Sequence, residues 1–107
     1  MSATAGNAVF SGSMEISSDS TVVSTRRLVS ADLGEEVILL HLENGLYFGL
    51  ENVGARIWKL LQKPVRVGEI ERVLLEEYDV EPEKCHAEVV GLLNKLIDQN
   101  LVEVTDS

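Results

Sequence analysis

A single cysteine, Cys85, rules out an internal disulfide, and only nine Lys plus Arg stand against eighteen Asp plus Glu in the 107 residues, a formal charge of −9. One free thiol fits a reducing compartment. The scarcity of cations excludes nonspecific binding to nucleic acid or an anionic bilayer, which depends on Lys and Arg displacing counterions. The sequence has no run of about 18 apolar residues and no apolar signal segment flanked by Arg or Lys, so the expectation is a soluble cytoplasmic protein. The glycines Gly34, Gly45, Gly49, Gly54, Gly68 and Gly91 are isolated and compose no GxGxxG or Walker pattern, which leaves phosphate binding unsupported. With 45% hydrophobic residues the chain can bury one modest core, with little room for a second domain or a deep enclosed active site.

The first twenty residues are rich in Ser, Ala, Gly and Thr and show no hydrophobic period, so residues 1–20 are expected to be a flexible tail and residues 21–107 the folded domain. From Thr21 the pattern turns β-branched and apolar. Thr21-Val22-Val23 with Leu28-Val29, then Val37 to Leu42, then Leu46 to Leu50 read as strands. Asn44-Gly45 suits the two positive-φ positions of a type I′ hairpin turn. A two-residue loop there would set Leu42 opposite Tyr47, Leu40 opposite Gly49, His41 opposite Phe48 and Leu39 opposite Leu50. Both faces of that hairpin carry apolar side chains, so a sheet covered on one side only would leave a face on which something else packs.

After Leu50 the period becomes helical. Asn52 is a candidate N-cap for Val53–Leu61, which Pro64 closes. A second helix spans about Gly68 to Tyr78, with Ile70, Val73, Leu74 and Tyr78 inward. Pro82 opens a third, to about Gln99, whose apolar set Val89, Val90, Leu92, Leu93, Leu96 and Ile97 is wider than one buried stripe needs. Asn100 suits the left-handed residue after the last turn, with Leu101 folding back on Leu96, and a short strand Val102–Val104 follows. The expected fold is α+β, a three-stranded antiparallel sheet followed by three helices.

No catalytic constellation is assembled. Cys85 and His86 are adjacent, and neighbours on a helix point about 100° apart. His41 lies in a strand with no zinc-ligand spacing to either. The pairs Glu35-Glu36 and Glu76-Glu77 suit solvated faces, and Trp58, next to the inward Ile57, suits the core. No catalytic residue, metal site or cofactor is therefore expected. Three helices beside a small sheet invite a winged helix-turn-helix reading, but Glu69, Glu71, Glu76 and Glu77 face only Arg72 on the middle helix. The last carries Glu83, Glu88 and Asp98 against Lys84 and Lys95. Neither suits a phosphate backbone. What remains is binding. A free edge on Leu46–Leu50 is a template for an extended peptide, with the surplus apolar face of the last helix as the second wall of a groove.

The run Val37 to Trp58, containing Tyr47-Phe48-Gly49-Leu50 and Gly54-Ala55-Arg56-Ile57-Trp58, resembles the PqqD family. So do Leu74-Leu75-Glu76-Glu77-Tyr78-Asp79-Val80 and the closing Val89, Leu92-Leu93, Leu96 and Leu101-Val102. The resemblance spans roughly residues 24 to 104. Glu51 stands where the family commonly has Asn, and Asn100 where it commonly has Gly. It implies a winged helix-turn-helix-like domain without catalysis that binds the leader segment of a ribosomally made precursor peptide as an added strand between the third strand and the last helix. The core peptide would thereby be presented to a radical SAM enzyme or to a leader peptidase or cyclase. Carried onto this sequence, the strand wall is Leu46, Tyr47, Phe48 and Gly49, and the helix wall His86, Val90, Leu93, Asn94 and Ile97. Acidic residues about the groove would favour leaders bearing Lys or Arg. The competing readings are a structural subunit packed on a partner enzyme and a DNA-binding regulator.

Overall fold

The computed structural model describes residues 16–105. In chain order these form β1 (Thr21–Ser24), β2 (Leu28–Asp32), β3 (Glu36–His41), β4 (Tyr47–Glu51), α1 (Val53–Leu60), β5 (Val65–Arg66), α2 (Val67–Glu77), α3 (Pro82–Asp98) and β6 (Val102–Val104). The class is α+β, as the sequence indicates, but the strands form two antiparallel sheets rather than one. One is ordered β2-β3-β4 and the other β5-β1-β6. The second sheet joins Thr21–Ser24 to strands that follow it by some forty and eighty residues, a pairing that local periodicity does not reveal.

Alternation on β3 decides what the first sheet covers. Val37, Leu39 and His41 are buried, whereas Ile38 and Leu40 lie half-exposed on the opposite face. The buried side meets a core that includes Ala55, Ile57 and Trp58 of α1, Ile70 and Leu74 of α2, Val89, Leu93 and Leu96 of α3, and Leu101. Burying each large side chain contributes about 1.5–3 kcal/mol, so these faces rather than the connections fix the arrangement.

The β3–β4 hairpin departs from the expected register. Leu40 faces Tyr47, Leu39 faces Phe48, Ile38 faces Gly49 and Val37 faces Leu50. Only Gly45 takes the left-handed conformation, at φ +73°, and Asn44 does not, so no type I′ turn forms. The loop instead holds four residues, Leu42 to Gly45, closed by His41 N–H to Leu46 C=O at 3.0 Å and Gly45 N–H to His41 C=O at 3.0 Å. Because the register shifts by two, every side chain stays on its expected face.

The helix ends follow local chemistry. Asn52 does occupy the position before α1, but its side chain makes no cap; its backbone takes φ +53°, a conformation Asn tolerates better than most residues. Beyond α3, Asn100 stands at φ +62°, and the N–H groups of Asn100 and Leu101 donate to Ile97 and Leu96 C=O, each at 2.9 Å. This is the paired closure of a Schellman end.

Residues 16–20, assigned from composition to the tail, are packed. Ile16 and Ser20 are buried, Val67 N–H donates to Ser20 C=O and Gly68 N–H to Ser18 C=O, each at 2.9 Å. A Cβ on Gly68 would lie 3.2 Å from the Ser18 carbonyl oxygen, so the close approach favours glycine there. The folded part thus starts by Ile16; residues 1–15 of the expected tail lie outside the described residues. Among the described residues no helix is long and apolar enough to cross a membrane.

Candidate functional site

The edge strand β4 supplies the first wall. Pairs 41–46, 39–48 and 37–50 are the hydrogen-bonded ones, as His41 N–H to Leu46 C=O shows, so the backbone groups of Phe48 and Leu50 point to β3. Those of Tyr47, Gly49 and Glu51 point away from the sheet. Among the described residues β4 has no neighbour on that side, which leaves a short row of donors and acceptors open to an added strand. Its side chains divide in the same way: Phe48 and Leu50 turn toward the core, Tyr47 and Glu51 toward the outside.

Between this edge and α3 runs a cleft of about 480 Å³ lined by Tyr47, Phe48, Gly49, Leu50, Leu92, Lys95, Leu96 and Gln99, with Asp98 at its margin. Its floor is apolar, from Phe48, Leu50, Leu92 and Leu96. Leu92 also packs near Leu50, where α3 crosses the start of α1. Lys95 and Asp98 give the rim one charge of each sign, so the acidic groove expected from the overall composition is locally balanced.

The residues carried over from sequence separate into two groups. Tyr47, Phe48 and Gly49 line the cleft, and Leu46 precedes them at the end of the hairpin loop. On α3 the cleft-facing stripe is Leu92, Lys95, Leu96 and Gln99, whereas His86, Val90, Leu93, Asn94 and Ile97 do not border it. At 100° per residue Val90 lies about 160° around the helix from Leu92. Leu93 is fully buried in the core. His86 is held on the α2 side, where its Nδ1 pairs with the Glu71 carboxylate, and Val90 and Ile97 continue that stripe. Sequence reasoning missed Leu92, Lys95 and Gln99 as wall residues because both flanks of α3 carry apolar side chains.

Groups that could do chemistry are dispersed or shielded. Cys85 is buried, and burial pushes its thiol pKa up, away from the thiolate a nucleophile needs. The Glu71 carboxylate bridges His86 and the Ser18 hydroxyl, which donates to it at 3.2 Å, so no imidazole reaches the serine. Among the described residues no three His, Cys, Asp or Glu gather as a metal site. The buried His41 uses Nδ1 as an acceptor for the backbone N–H of Glu43 at 3.1 Å and, more weakly, of Asn44 at 3.4 Å. Its role is to hold the hairpin loop. The arrangement offers a backbone edge, an apolar floor and a mixed polar rim, features that suit an extended peptide.

Comparison with known proteins agrees with this geometry. The family model for coenzyme PQQ synthesis protein D (PqqD) matches residues 36–102, from β3 to the first residue of β6. The solved structure of TbiB1 in complex with the TbiA(β) leader peptide is similar at 36% identity and a TM-score of 0.73, over 79% of this chain and 99% of that one. A lasso peptide synthetase B1 complexed with its leader peptide has the same fold, at 18% identity and a TM-score of 0.63, over 77% of this chain and 96% of that one. No curated protein matches the chain.

Proposed function

This chain belongs to the PqqD family, and from that premise we propose that it is a non-catalytic recognition domain for the leader segment of a ribosomal precursor peptide. The observation that carries the reading is the unpaired edge of β4 set beside an apolar cleft, in a chain that shares 36% identity with a protein solved on a leader peptide. The leader adds as a strand to β4. Backbone groups of Tyr47, Gly49 and Glu51 supply hydrogen bonds independent of leader sequence, and alternate leader side chains enter the cleft over Phe48, Leu50, Leu92 and Leu96 to supply selectivity. In this reading His86, Val90, Asn94 and Ile97 stand off the leader, on the flank of α3 that does not border the cleft.

Holding the leader fixes the core peptide near a maturation enzyme, a radical SAM protein or a leader peptidase or cyclase, and raises its effective concentration there. Catalysis then belongs to the partner. The charge of −9 adds long-range attraction for leaders carrying Lys or Arg, felt in the association rate at low salt, while the balanced rim leaves the dissociation rate nearly salt-independent.

The test is a titration of synthetic leader into the isolated protein. Leu92→Glu, at the cleft floor, is expected to weaken binding about tenfold or more, and Val90→Glu to leave it unchanged. The opposite order would return the groove to the other flank of α3. No binding to the isolated wild-type protein would favour a structural subunit of the enzyme instead.

A further inference from the structure

The β2-β3-β4 sheet has a second face, turned away from the core and open to solvent. Cross-strand register gathers Val29 and Ala31 of β2, Ile38 and Leu40 of β3, and Tyr47 of β4 on it. Val29 is 52% exposed and Tyr47 72%, unusual values for large apolar side chains held on one flat surface. At one end of this face Glu36 stands directly opposite Glu51. Like charges in that position repel, and among the described residues neither carboxylate meets a cation.

We propose that this face docks the maturation enzyme, through a surface with an apolar centre and an Arg or Lys placed to sit between Glu36 and Glu51. The inference rests on the strand-addition reading. A leader strand paired to β4 sends every second side chain to the outside, beside Tyr47, Gly49 and Glu51, so a bound leader adds a fourth column to the same face. Size makes that column matter. Three strands about 4.8 Å apart and five residues long present about 14 by 17 Å, far less than the roughly 800 Å² per partner of a stable interface. The bare sheet is therefore a weak docking site, and the leader column enlarges it by about a third. An enzyme reading the composite surface distinguishes loaded from empty carrier without contacting the cleft. A second copy of the chain fits worse, because each copy carries −9 and a copy docked through the same face would bring its own Glu36 and Glu51 against the first pair.

The probes are a purified maturation enzyme and the synthetic leader peptide of the precursor that it modifies. Enzyme affinity is measured with and without saturating leader for the wild type, Val29→Asp and Glu36→Lys; neither residue lies in the cleft. Leader is expected to tighten enzyme binding to the wild type about tenfold, and both variants to lose about that factor while binding leader normally. Glu36→Lys places a cation opposite Glu51, so its thermal midpoint should equal or exceed the wild-type value, which separates lost docking from lost stability. Unchanged enzyme affinity in both variants overturns the docking face, as does conversion of a wild-type dimer to monomer by either variant in sedimentation, since the occupant is then a second copy. Leader titration of the wild type alone reads the cleft, so a null result there overturns the leader reading, whereas normal leader binding with undiminished enzyme binding overturns only the docking face.

Discussion

The buried imidazole of His41 accepts the backbone N–H of Glu43 at 3.1 Å, so a side chain on the inner face of β3 fixes the loop that delivers β4 to the edge of the sheet. Replacing it by Leu keeps the volume and removes the acceptor. The expected cost is ~1 kcal/mol, since exposed loop amides can turn to water. Amide exchange at Glu43 and Asn44 should accelerate about fivefold, with leader affinity falling as the start of β4 loosens. Unaltered exchange would show that Gly45 and Asn44 close the loop unaided.

Backbone alternation along β4 separates binding from folding. The Gly49 N–H points outward and the Phe48 N–H into the ladder with β3. Gly49→Pro is expected to weaken leader binding about tenfold with a nearly unchanged unfolding midpoint, because proline is tolerated where an edge strand's N–H faces outward. Phe48→Pro should lower the midpoint itself. Equal losses of stability in the two variants would contradict the assignment of the free edge.

Acid sensitivity follows from two exposed ion pairs. Arg56 forks onto both carboxylate oxygens of Glu77, each contact at 2.9 Å, and holds its pKa below the ordinary carboxylate value; Arg72 does the same to Glu69. A value lowered on folding stabilises the protein above the unfolded pKa, and that contribution disappears as pH falls through the folded one. Wild-type urea midpoints should therefore decline from about pH 5 to pH 3, and Glu69→Gln with Glu77→Gln should flatten that decline. Both carboxylates are exposed, so solvent keeps the effect small. Parallel curves would mean the pairs contribute nothing measurable.

The segment before β1 adds one large apolar side chain to the core. Ile16→Ala should cost ~2 kcal/mol in denaturant unfolding, because Ile16 is buried in the hydrophobic core. A loss below about 0.5 kcal/mol, the range typical of surface substitutions, would place that side chain outside the core in solution.

Local chemistry made much of this fold legible. Pro82 marked the first turn of α3, Asn100 and Leu101 marked its end, and alternation from Val37 to His41 told which side chains the sheet buries and that its other face is apolar too. What depends on partners distant in sequence was not. The two-residue strand Val65–Arg66 is too short to show a period, and Val22 gives no sign that it will face Val65 and Val104. The hairpin register escaped because Asn-Gly permits a two-residue turn without requiring it, and the buried acceptor on His41 favours a wider loop. That Tyr47, Phe48 and Gly49 lie at a sheet edge was legible because an edge strand is visible as a motif. On α3, Val90 and Ile97 look as apolar as Leu92, and only packing decides that Leu92 rather than they borders the cleft beside β4.

The pairing of β1 with β6, sealed by Thr105 N–H to Thr21 C=O at 2.8 Å, brings the first and last strands of the described fold side by side. They meet on a different sheet from the one whose edge borders the cleft. A domain whose two ends emerge together can be spliced into a surface loop of a larger polypeptide, or tethered at either end, with little strain on its interior. Recognition built this way is modular: the same carrier can be fused to an enzyme or left free, and the architecture that binds the peptide need not change.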